Sequence, residues 1–581
     1  MPGPEEKASR EHKRAAELDN SLLLRSSGSS DDGSNEPAPQ LHARTFLAVA
    51  AVCLIYFAQL VSLVGAGVQG QTIGAHFNDT SKVVWFAGSI AIFTVVLGPI
   101  VSQAADYWGR KWFLVTLTLT GAVGSVVIAR ANSLNMAIAG FCLVGTAFGT
   151  QPLLHVVASE VLPRRWRGWG QACPVMFSTL GSLTGLFVGA ALNRSSDPNS
   201  NGFRYYFYMV MTSYLLSAVV CALVYNPPPL PTQLALTQHE KLAKLDWIGY
   251  ALFTSGIVLF SIGLSYSKNP YEWTDPRVSA TFAIGITLSI LLILYETYAK
   301  TDGLFHHGLF ARNRNFALAA LAIFFEGLAF FAINSYFSLQ IRTLYESDAM
   351  VAAAQYSLKF VFTAVFGFVA GWNATRTRRV RWITVASFVL LLAFFVGMAT
   401  CERGEGSGRA VWGYAVLMGV AFGVMLTTLI TVAQLSTPPE LISIASGLFI
   451  SVRSLGGTVG LAVYNAVYNA AMARLDGNVG DVVVPEGLPV EELSRFVAAL
   501  VGRNETVLRG VPGSTPEIVD IGSTALLDTY VVAFRHVWIT AGCFVAVATI
   551  ASAFLIEEEK EFNMHIDNPI EKQGQETLPT A

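Results

Sequence analysis

Residues 83–111 read VVWFAGSIAIFTVVLGPIVSQAADYWGRK, and this stretch decides how the chain folds. Residues 83–103 contain no charged side chain, and a helix of about 20 apolar residues crosses the roughly 30 Å hydrocarbon core of a bilayer. Asp106, Arg110 and Lys111 follow directly, and residues 113–130 are again mostly apolar. The stretch therefore predicts two membrane-spanning helices joined by a short charged loop.

Apolar runs of this kind recur along the whole chain. Hydrophobic residues make up 53% of the sequence and charged residues 13%, against about 25% charged residues in soluble domains. We predict an all-α polytopic membrane protein with about 14 transmembrane helices, at residues 46–67, 83–103, 113–130, 135–157, 169–192, 204–226, 246–266, 278–298, 316–340, 350–372, 380–399, 411–436, 441–470 and 535–556.

Lys and Arg residues cluster in alternate loops between these runs. Cytosolic loops of membrane proteins are enriched in both residues. With the N-terminus inside, the cytosolic loops carry Arg110 and Lys111, then Arg164, Arg165 and Arg167, then Lys241 and Lys244, then Lys300, Arg312 and Arg314, and last Arg376, Arg378, Arg379 and Arg381. An even number of spans then places both termini in the cytosol.

The N-x-S/T sequons give a second indication of orientation. Those of Asn78, Asn193 and Asn504 fall in loops that this topology places outside, where glycosylation occurs. The fourth sequon, at Asn373, falls on the cytosolic side. We therefore regard the first three asparagines as glycosylation candidates.

The external segment 471–534 is unusually long. Within it, apolar residues recur at helical spacing over residues 490–508. Two interpretations remain open: an amphipathic helix that lies over the outer mouth, and a solvated helix-turn without a role in transport.

Several function classes find no support in the sequence. The net charge of -2 gives no case for nucleic-acid binding. We find no glycine-rich nucleotide-binding loop, no Ser-His-Asp or paired-carboxylate arrangement, and no cysteine pair at metal-ligand spacing. We therefore expect neither an enzyme nor a cofactor or metal site.

The charged loop after the second span carries a recognisable motif. Ser102, Asp106, Gly109, Arg110 and Lys111 resemble the pattern G-x-x-x-D-x-x-G-R-[RK] of the major facilitator superfamily, with Ser in place of the first Gly. The resemblance implies two six-helix halves that rock around a central site. It also implies that Asp106, Gly109, Arg110 and Lys111 form a gating loop on the cytosolic side.

Further stretches are similar to the fourteen-span drug:proton antiporter branch of this superfamily. They are Gly181, Gly185 and Gly189 in the fifth span, where small residues allow close helix packing, the run that starts at Asp246, residues 451–460 and residues 561–570. The last of these resembles fungal trichothecene efflux pumps and siderophore–iron transporters. Phe141 stands where many drug exporters carry a buried Arg. The role of that Arg therefore does not carry over to this chain.

The resemblance and the span count together predict a division of the chain. The expected parts are a disordered cytosolic tail at 1–45, a six-helix half at 46–226, a linker with two inserted helices at 227–300, a second six-helix half at 301–556 that includes the external loop 471–534, and a cytosolic tail at 557–581.

Three ionisable residues stand out well inside predicted spans, where charges are costly and usually functional. They are Glu326, Lys359 and Arg453. One hypothesis is that Glu326 binds and releases a proton and so couples transport to the proton gradient. The other is a static salt bridge from Glu326 to Lys359 or to Arg453.

The resemblance to the major facilitator superfamily implies that the first and ninth spans line the substrate cavity, and the tenth span carries further polar candidates. Aromatic residues with scattered amides suit an amphipathic, largely uncharged solute. The candidates are Tyr56, Gln59, Asn334, Tyr336 and Gln355, although helix–helix hydrogen bonding explains each of them equally well.

Together these features favour a proton-coupled secondary transporter that exports a small amphipathic compound, such as a toxin, a secondary metabolite or a drug. The alternative is proton-driven uptake of ferric siderophores, and a membrane receptor is a third class that the gating loop disfavours. The expected partners are a small-molecule substrate, protons and the lipid bilayer, but no nucleic acid. We expect a monomer in the plasma membrane.

Overall fold

All fourteen predicted spans are helices in the computed structural model, which describes residues 42–77, 79, 82–193, 201–229, 231–266, 273–300, 303–311, 313–346, 349–502 and 504–570. We number the spanning helices α1 (Ala43–Val68), α2 (Trp85–Trp108), α3 (Arg110–Ala129), α4 (Leu134–Glu160), α5 (Arg164–Leu192), α6 (Gly202–Val224), α7 (Trp247–Leu264), α8 (Pro276–Tyr298), α9 (Asn315–Tyr345), α10 (Met350–Thr377), α11 (Arg381–Thr400), α12 (Gly406–Leu435), α13 (Pro439–Val483) and α14 (Pro516–Ala553). Within the described ranges the chain forms no strand.

Helices α4 and α9 are irregular within their spans. Helix α4 consists of Leu134–Phe148 and Gln151–Glu160, with a break between them. Helix α9 contains two wide turns of the π type, Ile333–Phe337 and Ile341–Tyr345. Such turns often mark functional positions, because they redirect side chains without ending the helix.

The helices form two packed halves, each around its own apolar core. In α1–α6 the core includes Phe141, Tyr206 and Phe207. In α9–α14 it includes Phe394 and Trp538. With little water in the bilayer core to satisfy backbone groups, helices with internal hydrogen bonds are the stable solution for such apolar segments.

Helices α7 and α8 pack against each other beside these halves, and α7 also packs on α2. The Tyr250 hydroxyl of α7 donates a hydrogen bond to Gln103 of α2. Asp246 and Glu296 are both buried at the same end of this pair, and Lys300 lies 3.9 Å from Asp246. Helix α7 also contacts α13, so the pair is attached to both halves.

The two halves meet at the end of the bundle that carries residues 106–111, 164–167, 376–381 and 557–570, which we call the basic end. The halves also touch further into the bundle, where the Ser451 hydroxyl of α13 donates to the Val95 carbonyl of α2 at 2.7 Å. A Cβ atom added to Gly168 would lie 2.9 Å from the carbonyl oxygen of Gly371, so the two backbones are in direct contact. This contact needs glycine on both helices.

The segment predicted as a long external loop is mostly helical. Helix α13 reaches Val483, and the helix that contains the last span begins at Pro516 rather than near residue 535. Thr515 caps it by accepting from the amide of Ile518, and a proline at the first helical position is a common start signal. The prediction missed this start because residues 516–534 are too polar for a membrane run.

The predicted amphipathic helix in this segment exists as Leu493–Val501. Its apolar residues Phe496, Val497 and Leu500 are buried in a small core with Val479 and Ile518. The apolar face of this helix therefore packs against extensions of α13 and α14.

Candidate functional site

Glu326 and Arg453 form an ion pair between α9 and α13. Nε of Arg453 lies 2.6 Å from one carboxylate oxygen, and Nη2 lies 2.9 Å from the other. Glu326 is fully buried. Gly327 and Gly456 allow α9 and α13 to touch backbone to backbone, so both side chains reach each other. Of the two partners that the sequence left open for Glu326, the structure selects Arg453.

Lys359 is buried close to this pair but does not contact the Glu326 carboxylate. Its ammonium donates to Asn334 Oδ1 at 2.5 Å and to the Tyr356 hydroxyl at 2.6 Å. The Phe330 ring separates the two cations, with its centroid 4.5 Å from the Arg453 guanidinium and 6.0 Å from the Lys359 ammonium.

The remaining cavity candidates of the second half have different surroundings. The Tyr336 hydroxyl donates to Asn465 Oδ1 at 2.6 Å, which joins α9 to α13. The Oε1 atom of Gln355 is buried and has no hydrogen-bond partner in the described chain. Asn334 is partly exposed. Asn334 is thus the candidate that combines access with a charged neighbour.

Tyr56 and Gln59 hold α1 against the break in α4. The Gln59 amide donates to the Ala147 carbonyl at 2.8 Å and to the Thr150 hydroxyl at 3.0 Å. The Gln151 amide donates to the Tyr56 hydroxyl at 3.1 Å. Because an interrupted helix leaves backbone carbonyls without partners, these side chains stabilise the break.

The gating-loop motif forms a cluster at the basic end. The Arg110 guanidinium contacts Glu160 of α4 at 3.0 Å and Asp106 at 3.2 Å. It also donates to the Ser443 hydroxyl of α13 at 2.9 Å, and that hydroxyl donates to Asp106 at 2.6 Å. The cluster therefore links the two halves through Ser443.

Gly109 and Lys111 have separate roles in this loop. Gly109 adopts φ 93°, a conformation that side chains with a Cβ atom rarely adopt, and so turns α2 into α3. The Lys111 ammonium lies 2.5 Å from Asn226 Oδ1, outside the cluster. The structure thus groups Asp106 and Arg110 and leaves Lys111 apart.

Sequence reasoning missed a second polar link between the halves. Gln434 of α12 accepts hydrogen bonds from Gln171 at 3.0 Å and from Ser159. Its backbone carbonyl accepts from Arg167 at 3.0 Å. Gln434 carried no motif, and its partners lie more than 250 residues away, so nothing in the sequence paired them.

The chain after α14 also joins the halves. We call residues 557–570 the C-terminal strap. At its start, Glu557 accepts hydrogen bonds from the backbone amides of Val380 at 2.9 Å and Arg381 at 3.0 Å, in the second half. Towards its end, the amide of Asn568 donates to the Glu160 carbonyl at 3.0 Å, in the first half.

Asp567 is the charged centre of the strap. Its carboxylate accepts from Arg164 at 2.8 and 3.0 Å and forms an ion pair with Arg167. Burial raises the pKa of this carboxyl, but hydrogen bonds from Arg164 and the charges of both arginines outweigh burial and hold it below its usual range. Asp567 is therefore ionised at neutral pH.

The three glycines of α5 pack against α1. A Cβ atom on Gly181 would lie 2.5 Å from the Phe57 carbonyl oxygen. One on Gly185 would lie 3.1 Å from Cβ of Val64, and one on Gly189 would lie 2.7 Å from Cγ1 of Val68. Close contact between the two helices thus depends on the missing side chains.

The sequon asparagines differ in their surroundings. Asn78 lies outside the described residues. The Asn193 amide nitrogen donates to the Val68 carbonyl at 3.1 Å. Asn504 is exposed at the opposite end from the basic end, and its Oδ1 accepts from the amide of Val507 at 3.2 Å.

Comparison with known proteins gives the family context of this geometry. The model of a family described as "Fungal trichothecene efflux pump (TRI12)" matches residues 25–575. A trichothecene efflux pump TRI12 of Trichoderma arundinaceum is 23% identical over 551 residues, which cover 90% of this chain and 88% of that protein. The MFS-type efflux transporter phmH of Phaeosphaeria nodorum is 23% identical, with 81% and 79% covered.

Solved structures share the fold. The proton:xylose symporter XylE of the major facilitator superfamily aligns with a TM-score of 0.52 at 13% identity, covering 90% of this chain and 97% of that chain. The likeness confirms the predicted major facilitator fold, with six-helix halves α1–α6 and α9–α14 and two inserted helices. Together with the fourteen apolar helices and the efflux relatives, it makes the chain a multi-pass membrane protein.

Proposed function

Since this chain belongs to the fungal trichothecene efflux pump family, we propose that it exports a small amphipathic compound by alternating access driven by the proton gradient. The compound is a toxin, a secondary metabolite or a drug, as the names of its relatives suggest. The observation that carries the proposal is Ser443, which is hydrogen-bonded to both Asp106 and Arg110 of the other half.

The hydrogen bonds through Ser443 suit a gate, because they join the two halves at one end of the bundle. In our proposal the basic end faces the cytosol, because its loops are rich in Lys and Arg, and both termini lie there. The protein acts as a monomer in the plasma membrane and binds no nucleic acid. With the halves joined by Ser443, Gln434 and the C-terminal strap, the described conformation is closed towards the cytosol. Rocking of the halves breaks these bonds and opens the cytosolic side.

Coupling to protons is assigned to Glu326. A buried ion pair is held by strong Coulomb attraction, and loss of one charge from such a pair costs about 3–5 kcal/mol. A proton that binds Glu326 removes its charge, frees Arg453 and so changes the contact between α9 and α13. The ion pair supports this role because it makes one protonation event large enough to shift a conformational equilibrium.

The walls around this pair suit an amphipathic solute. Phe330, Phe331, Tyr356 and Phe360 are partly buried residues of α9 and α10 near the charged groups. Aromatic side chains offer large apolar contact areas, and a few polar atoms orient the ligand. The substrate is expected to bind against these rings and to leave when the opposite end is open.

The test is intracellular accumulation, measured by mass spectrometry in cells with and without the protein. The panel contains a trichothecene, a hydrophobic drug and a ferric siderophore, each with and without a protonophore. Lower accumulation of toxin or drug that the protonophore abolishes supports the proposal. Higher, gradient-dependent accumulation of the siderophore would replace export by uptake, and unchanged levels of all three would contradict transport of these classes.

A further inference from the structure

We propose that Lys359 is a substrate-binding residue, and that it selects amphipathic compounds with an acidic oxygen such as a carboxylate. The inference rests on the proposed export function and narrows its substrate class. It starts from the charges at the centre of the bundle, where Glu326 supplies one negative charge and Arg453 and Lys359 supply two positive ones.

Both oxygens of Glu326 are occupied by Arg453, at 2.6 and 2.9 Å. Lys359 has no acidic partner among the residues that the structure describes, and its hydrogen bonds go to the neutral groups of Asn334 and Tyr356. The centre therefore holds two basic side chains and one acidic side chain. A buried charge without a counter-ion is costly in a membrane protein, and residues of this kind usually serve a ligand.

One N–H donor of the ammonium makes no hydrogen bond within the described residues. A lysine has three N–H donors, and two are used by Asn334 and Tyr356. Asn334 and Tyr356, which accept these hydrogen bonds, are themselves partly exposed, so the polar groups next to the ammonium reach accessible surface. The third donor and a basic group without an acidic partner together fit an anionic oxygen, since hydrogen bonds between charged groups are short and strong.

The aromatic rings around Lys359 suit the apolar part of the ligand. The ammonium lies 3.9 Å from the ring centroid of Tyr356 and 4.6 Å from that of Phe360. These rings favour the cation and offer an apolar wall next to it. A compound with an acidic end and an apolar body matches this combination of groups.

Backbone packing holds Lys359 in place. A Cβ atom on Gly419 of α12 would lie 2.6 Å from the Lys359 carbonyl oxygen, so α10 and α12 are in direct contact at this residue. In addition, Asn334 lies in the wide turn Ile333–Phe337, which aims its side chain at α10. Such a fixed position lowers the entropic cost of binding a charged group.

The experiment compares transport of an amphipathic carboxylic acid with that of its methyl ester, in vesicles with an imposed proton gradient. The proteins are the wild type, Lys359→Gln and Lys359→Arg, with thermal unfolding as a check on folding. We expect the wild type to favour the acid. Lys359→Gln should raise the KM for the acid about tenfold or more and leave that for the ester within about twofold, while Lys359→Arg keeps the preference.

A binding measurement on the purified protein separates the two proposals. The acid should raise the unfolding temperature of the wild type but not that of Lys359→Gln. A wild type that treats acid and ester alike, or a Lys359→Gln variant that loses both equally while it remains folded, overturns the role of Lys359. A wild type that transports neither compound contradicts export itself, and the role of Lys359 falls with it.

Discussion

The carboxylate of Asp567 accepts two hydrogen bonds from the guanidinium of Arg164, although 403 residues separate them. The contact places the C-terminal strap on the first residue of α5. Since the strap begins on the second half, at Val380 and Arg381, it spans both halves at the basic end. Opening of that end therefore requires the strap to leave one of its two docking sites.

Asp567→Asn should release the strap from the first half. The change removes the charge that pairs with Arg164 and Arg167, and the backbone amides of Arg164 and Arg165 then lose their partners His565 and Asn563. Hydrogen exchange measured by mass spectrometry should show faster exchange in peptides that cover 160–167 and 560–570. Glu505→Gln, in an exposed ion pair at the opposite end, is the control and should change neither peptide.

The Asp567 carboxylate also predicts how docking of the C-terminal strap depends on pH. Its pKa is below the usual value of about 3.9, so its ionised form stabilises docking. This stabilisation is fully present above that usual value and is lost as pH falls through the docked pKa. The difference in unfolding temperature between wild type and Asp567→Asn should persist from about pH 8 down to about pH 5 and shrink below about pH 4. A difference that disappeared near pH 6 would contradict this assignment.

Glu326→Gln should abolish gradient-driven export while exchange without a gradient continues. The amide cannot take up a proton, and it leaves the partly buried Arg453 without its counter-ion, which costs up to about 3 kcal/mol of stability. The double change Glu326→Gln with Arg453→Gln should recover much of that stability but not the driven transport. Driven transport at the wild-type rate in Glu326→Gln would refute proton coupling through this residue.

The sequence predicted the fourteen spans well, because they depend on local patterns. A run of about 20 apolar residues is visible without any tertiary information. Asp106, Gly109 and Arg110 lie within five residues, so one loop suffices to bring them together. The start of the last helix was misplaced because residues 516–534 are helical without being apolar enough for a span.

The sequence alone could not predict which charged residues pair across the molecule. Glu326 had two possible cationic partners, and the choice of Arg453 depends on Gly327 and Gly456, which bring α9 and α13 together. Likewise, nothing in the sequence distinguishes Glu160 and Asp567 from other acidic residues, because their contacts depend on the positions of α4 and the strap. Only tertiary structure gives them arginine partners.

Gly181→Ala should destabilise the first half. The added methyl group would lie 2.5 Å from the Phe57 carbonyl oxygen, which is backbone and cannot move aside without shifting α1. Overpacking of this kind costs about 1–3 kcal/mol. Gly88→Ala is the matched control, because a Cβ atom there meets nothing within 4 Å and alanine favours a helix. In detergent, the unfolding temperature should fall for Gly181→Ala and stay level or rise for Gly88→Ala.

Glycosylation tests the orientation of the bundle. Asn504 is exposed, and its Oδ1 caps the helix Glu505–Arg509, so its amide nitrogen remains available to a sugar. The side-chain nitrogen of Asn193 donates a hydrogen bond to the Val68 carbonyl, so Asn193 is a poorer site for attachment of a glycan. We expect Asn504→Gln to remove most of a shift in electrophoretic mobility that glycosidase also removes. Asn373→Gln, at the basic end, should change nothing, whereas loss of the shift in that variant would place the basic end outside and reverse the proposed topology.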